Sequence, residues 1–109
     1  MNHILLIGTV VAPPVYFCTE QGRDLTRIQL STPAPAAVRG ETTLHHCRAW
    51  GPAALDLHEH LKVGDRLLVR GELRYRRRRV GGEEQVNVPV IHIHSYTYLG
   101  RGEVITFSG

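Results

Sequence analysis

Asp65 to Leu73 alternates apolar and polar residues as a half-buried strand does, and Arg74-Tyr75-Arg76-Arg77-Arg78-Arg79 carries the segment on towards Gly81-Gly82. A second extended stretch follows the glycine pair. Arg66 to Arg77 and Glu84 to Tyr98 are therefore predicted to pair as one long hairpin turning about Gly81-Gly82. Five arginines in six positions load one arm of that hairpin with positive charge. At the usual strand rise they span a ribbon about 20 Å long. Guanidinium is planar, permanently charged, and able to fork onto phosphate or stack on a base. The feature points to a polyanion, nucleic acid foremost. The competing structural reading is a solvated arm that keeps the protein soluble.

The rest of the chain reads as mostly β. His3 to Val11 is a first strand, with Gly8 marking a bulge or bend inside it. Pro13-Pro14 interrupts it, and Val15 to Thr19 continues as an edge strand. Gln21-Gly22 signals a turn, and Arg23 to Thr32 is a second strand with Leu25, Ile28 and Leu30 as core candidates. Two prolines make Pro33 to Ala37 a loop. Thr42 to Trp50 is a third strand, one side of which holds His45 and the other His46. Gly51-Pro52 opens a helix over Pro52 to Leu61, proline being suited to a first turn. Ala54, Leu55 and His58 or Leu61 are expected to face the core. Asp56 and Glu59 read as solubilising charge.

At 109 residues the chain is one domain. Lys62 is its sole lysine, and the net charge is only +3, so the placement of the arginines matters more than their sum. No stretch approaches the roughly 20 apolar residues of a membrane span, and the start lacks the marks of a signal peptide. Cys18 and Cys47 are isolated, with no metal or redox spacing, and are read as reduced thiols of a cytoplasmic protein. His58-Glu59-His60 and His92-Ile93-His94 have no third ligand at a supporting distance, so no metal site and no cofactor are expected. No nucleophile, base and acid fall into a catalytic pattern, so the protein is not read as an enzyme.

Three strands, a short helix and a long two-stranded hairpin follow the order of an OB-fold, a five-stranded Greek-key barrel. On that plan the helix lies between strands three and four. The arginine run leaves the barrel in the hairpin between strands four and five, beside one of the loops expected to hold a ligand.

The motifs resemble the bacterial single-stranded DNA-binding protein family. Met1 to Val10 is similar to its opening strand, Ile28-Gln29-Leu30-Ser31-Thr32 to the end of its second strand, and Thr43 to Gly51 to its third. Leu61 to Leu73 is the closest match, and Tyr98-Leu99-Gly100 is similar to the end of the family's DNA-binding domain. The resemblance covers residues 1–100 and leaves 101–109 as a short C-terminal extension, within which Glu103 to Phe107 reads as a further strand. It implies single-stranded DNA binding without strong sequence preference, in replication, repair or recombination. It also implies a nucleoid-associated location and a homo-oligomer, a tetramer built from dimers or a dimer, with the first strand as an interface.

The chain departs from the family at three stacking positions, where Leu44, Ala36 and Arg78 stand in place of aromatic residues. Trp50 occupies a fourth, as a base-stacking platform or as a cap on the barrel, the former being favoured. Tyr75 is either a second platform or a cross-strand partner of the return arm. Tyr96 and Tyr98 are read as structural, sharing one strand face with His92 and His94. The predicted DNA contacts are Trp50, Arg74, Tyr75, Arg76, Arg77, Arg78, Arg79, His46 and Arg48. The chain ends at Thr106-Phe107-Ser108-Gly109 without the family's acidic tip, so either the sequence is truncated or this member lacks the recruitment of repair and replication proteins that the family performs there. Other occupants of the same plan are an OB protein similar to primosomal replication protein B and an adaptor whose groove holds a protein.

Overall fold

A computed structural model describes residues 2–33, 41–82 and 84–101, with only the backbone of Arg78, Val80, Glu84 and Gln85. The stacking position Ala36, the Arg78 side chain, the Glu103–Phe107 strand and the chain's last residues lie outside what is described. The elements run β1 (Ile4–Val10), β2 (Val15–Cys18), β3 (Asp24–Pro33), β4 (Thr42–Trp50), α1 (Pro52–His60), β5 (Asp65–Val80) and β6 (Glu84–Arg101).

Five of the strands close a ring. β1 pairs antiparallel with β5, β5 with β6, and β3 with β4, while Thr9 and Val10 at the end of β1 cross to Ser31 and Leu30 of β3. A short parallel contact of Cys47 and Arg48 with Ile91 and His92 completes it. This is the expected barrel, with α1 between its third and fourth strands. β2 adds a sixth, short strand outside the ring along β3.

Alternation fills the interior. In β1, Ile4, Leu6, Gly8 and Val10 turn inward, towards Ile28, Leu30, Cys47, Leu67, Val69, Ile91 and Ile93. Gly8 sits at the predicted bend, where a Cβ would come within 2.8 Å of Leu30 Cβ. A side chain there would hold β1 and β3 apart. Burial pushes the Cys47 thiol up to about 12, so it stays protonated inside the core.

α1 closes one end of the barrel, starting from Gly51 at φ 64° with Pro52 in its first turn. Its buried stripe is Ala54, Leu57 and, just beyond its end, Leu61. Leu55, expected inside, is 49% exposed, and His58 is also outside. The i, i+3, i+7 stripe through Ala54 selects Leu57 and Leu61 and rotates Leu55 and His58 off the core side. The buried Thr26 hydroxyl donates to the Ala54 carbonyl at 2.7 Å and fastens the helix to β3.

Two expectations about the last strand and the helix are corrected. His94 has no partner in the ladder, because Ile93 pairs with Gly71 and Ser95 with Arg70. One extra residue inverts the alternation beyond it. Tyr96 therefore turns to the core side while His92 stays outside, 6.4 Å from the Trp50 ring. Tyr96 and Tyr98 both donate to Asp56 Oδ2, at 2.6 and 2.8 Å, and His60 Nδ1 lies 2.9 Å from Asp56 Oδ1. Asp56 is thus a clasp between α1 and β6 rather than solubilising charge. At the same bulge a Cβ on Gly71 would stand 2.0 Å from the His92 carbonyl oxygen, which only glycine avoids.

The hairpin ladder continues from Leu73 and Ile91 out to Val80 and Glu84, with Gly81 and Gly82 at positive φ in the turn. The base of this arm is tied to the start of the chain. Asn2 Nδ2 donates to the Leu73 carbonyl at 2.6 Å, and Asn2 Oδ1 accepts from the Leu73 amide at 2.9 Å.

Candidate nucleic-acid interface

Residues opposite one another in a ladder share a face, so the register of β2, β3, β4 and β6 composes the outer surface of the barrel. Val15 pairs with Arg27, Arg27 with Arg48, and Arg48 with His92. One step along, Gln29 pairs with His46; a step the other way, Phe17 pairs with Leu25 and Leu25 with Trp50. The ladder thus sets two guanidinium groups side by side in the middle of a sheet.

The arm rises over that face. A cleft of about 620 Å³ runs between them, lined by Arg27, Gln29, His46 and Arg48 from the sheet and by Arg76, Arg77 and Arg79 from the arm. Phe17, Val15 and Pro13 form one apolar wall, and Val88 and Val90 another. Arg76 and its neighbours Arg77 and Arg79 leave opposite faces of the arm, and both sets reach the cleft because arginine is long and a two-stranded ribbon twists strongly.

Among the described residues no carboxylate forms an ion pair with Arg27, Arg48, Arg76, Arg77 or Arg79. Arg48 is held below the ordinary arginine pKa, first by burial and then by the charges of Arg76 and Arg27, though it remains ionised at neutral pH. His92 is lowered below the usual histidine value by burial, with Arg74 and Arg48 adding to it. Like charges this close are unfavourable in the empty protein. An anion entering the cleft relieves them.

Of the predicted contacts, the structure brings His46, Arg48, Arg76, Arg77 and Arg79 together at the cleft. Arg74 is different: its Nε donates to Glu72 Oε1 at 2.7 Å and a second nitrogen closes an ion pair with the same oxygen, so its charge is partly spent. Tyr75 pairs with Pro89 in the ladder, is 65% exposed and does not line the cleft. Arg78 pairs with Val86 through its backbone. Trp50 lies just beyond the cleft on the same outer face, half-buried, with the Arg23 guanidinium 4.3 Å from its ring centroid.

Arg27, Gln29, Phe17 and Arg23 were not anticipated. Alternation with Ile28 and Leu30 does put Arg27 and Gln29 on the outer side of their strand. What is needed beyond that is the register that sets Arg27 against Arg48. Among the described residues no three His, Cys, Asp or Glu side chains group as a metal site, and no helix is long and apolar enough to cross a membrane.

The family described as the single-strand binding protein family matches residues 1–99. Among solved structures, a Plasmodium falciparum SSB in complex with ssDNA is similar to the chain, with a TM-score of 0.78 and 22% identity. That match covers 91% of this chain and 95% of the other. At this identity the likeness concerns the fold. No curated protein matches the sequence.

Proposed function

Because the chain belongs to the single-strand binding protein family, we propose that its arginine-lined cleft holds single-stranded DNA with little regard to sequence and shields it during replication, repair or recombination. The observation that carries this reading is the cleft itself, in which arginines from both sheet and arm converge with no carboxylate paired to them among the described residues. Its lining is rich in guanidinium groups, which suit phosphate more than base edges, and this supports binding without sequence preference. Trp50 supplies a stacking surface at the side of the track. The role is binding and not catalysis, and it needs no cofactor.

The protein acts as a homo-oligomer in this reading. β1 pairs with β5 along Ile4–Thr9, but among the described residues its other edge is met only at Thr9 and Val10 by β3. Two of the outward side chains of that strand are apolar, Leu5 at 62% and Ile7 at 53% exposure. An open strand edge with an apolar outer face favours pairing with a second copy.

Fluorescence anisotropy with labelled oligo-dT, the matching duplex and a mixed-sequence single strand, over a salt series, tests the proposal. The expected result is a clear preference for single strands, little difference between the two sequences, and a steep fall of affinity with salt. Binding to duplex as tight as to oligo-dT would overturn it.

A further inference from the structure

We infer that Phe17 on β2 is a second base-stacking platform for single-stranded DNA, placed across Leu25 from Trp50. This rests on the proposed reading of the cleft and adds a residue to it. β2 is a four-residue strand outside the barrel ring, and its Phe17 remains 39% exposed while lining the cleft. The ladder pairs Phe17 with Leu25 and Leu25 with Trp50, so the three side chains form a row across three strands. At about 4.8 Å between strands the two aromatic positions stand roughly 10 Å apart. Leu25 is buried beneath them.

Each aromatic ring carries an arginine. Arg27 lies 4.6 Å from the Phe17 centroid and Arg23 lies 4.3 Å from that of Trp50. Such a contact orients the ring and places a guanidinium next to it. A base that stacks on the ring then brings its phosphate within reach of the same arginine. The repeated unit, aromatic plus arginine, suits a strand whose bases and phosphates alternate along its length. A wall of Val15 and Pro13 continues the apolar side of the track beyond Phe17.

The test compares the full-length parent with Phe17→Leu, which keeps an apolar cover over Leu25 but has no aromatic face. Oligo-dT affinity is measured across a salt series. Phe17→Leu is expected to bind about tenfold more weakly, within the range for one lost base stack, with an unchanged salt slope. A parent that fails to bind oligo-dT would sink the proposed function. A parent that binds, with Phe17→Leu binding equally well or showing a flattened salt slope, would overturn the role of Phe17 and leave that function standing. As a second readout, Phe17→Trp in a Trp50→Phe background is expected to lose indole emission when oligo-dT is added. Emission that ignores the oligonucleotide while anisotropy reports binding would equally reject the platform.

Discussion

Arg27 of β3 and Arg48 of β4 stand directly opposite each other in the antiparallel ladder, and among the described residues neither has a carboxylate partner. Sheets usually oppose unlike charges, so this pairing is a cost in the free protein that a bound polyanion removes. Arg27→Ala and Arg48→Ala should each lower the dependence of log affinity on log salt by about 0.7. Replacing Arg76, Arg77 and Arg79 together by serine should flatten it further. Arg74→Ala should change it least, because Glu72 already holds that guanidinium. Oligo-dT titrations between low and moderate salt check the order, and equal slopes for all variants would assign the arginines to solubility.

Trp50 is the sole tryptophan, so its emission reports one site. Oligo-dT should quench it, and Trp50→Ala should weaken binding by about 1 to 3 kcal/mol with the protein still folded. A cap of the barrel would behave otherwise. Its emission would ignore the ligand, and its truncation would lower the thermal midpoint while leaving affinity alone.

The open edge of β1 predicts that assembly depends on Leu5 and Ile7. Leu5→Glu with Ile7→Glu places like charges along that edge and should shift the protein to monomers by light scattering at micromolar concentration. Both side chains face outward, so the barrel core is untouched and circular dichroism should remain that of the parent. A parent that is monomeric under the same conditions would remove the proposed interface.

Asp56 has its carboxyl pKa lowered by the hydroxyls of Tyr96 first and Tyr98 second, with His60 adding a smaller effect. A depressed carboxyl pKa means that the unfolded chain takes up protons first on acidification. The clasp therefore stabilises the fold above the unfolded carboxylate pKa, and that contribution is lost as pH falls through the folded value. Tyr96→Phe combined with Tyr98→Phe should make the protein less stable at neutral pH and flatten the decline on acidification. Urea midpoints from pH 7 to pH 3 measure both effects.

Gly71→Ala should be the most damaging methyl added to a glycine among the described residues, because its Cβ would stand 2.0 Å from the backbone oxygen of His92. The ladder at the foot of the arm must open to admit it, at a cost of about 1 to 3 kcal/mol or more. Both the thermal midpoint and the oligo-dT affinity should fall, since the arm that carries Arg76, Arg77 and Arg79 pivots there. Retention of parental affinity by the folded variant would show that the arm does not need this anchor.

Local patterns carried much of the fold. Proline and glycine punctuated the strands, alternation marked Ile28 and Leu30 as interior, and Gly8 was recognisable as a bend. The helix was found, but its buried stripe was misplaced. With leucines at 55, 57 and 61, the short segment permits more than one apolar face, and only the direction of its approach to Thr26 and the barrel chose Leu57. The tyrosines were misassigned to the face of His92 and His94 because a bulge leaves no mark on a run of alternating residues.

Sequence by itself determined which segments are strands, that the arginines ride on a hairpin arm, and that the chain follows the plan of a single-strand binding domain. The strands and the arm follow from period-two alternation and turn chemistry, which act over a few neighbouring residues, and the single-strand binding plan follows from the order and spacing of motifs that resemble that family. The tertiary structure alone decided that Arg27 meets Arg48, that Phe17 and Trp50 flank Leu25, and that Asp56 receives two tyrosine hydroxyls. Alternation says which residues share a face of one strand, but not which residue of the next strand stands beside them. That register is set by turns, bulges and the closure of the barrel, and the binding surface is made of register.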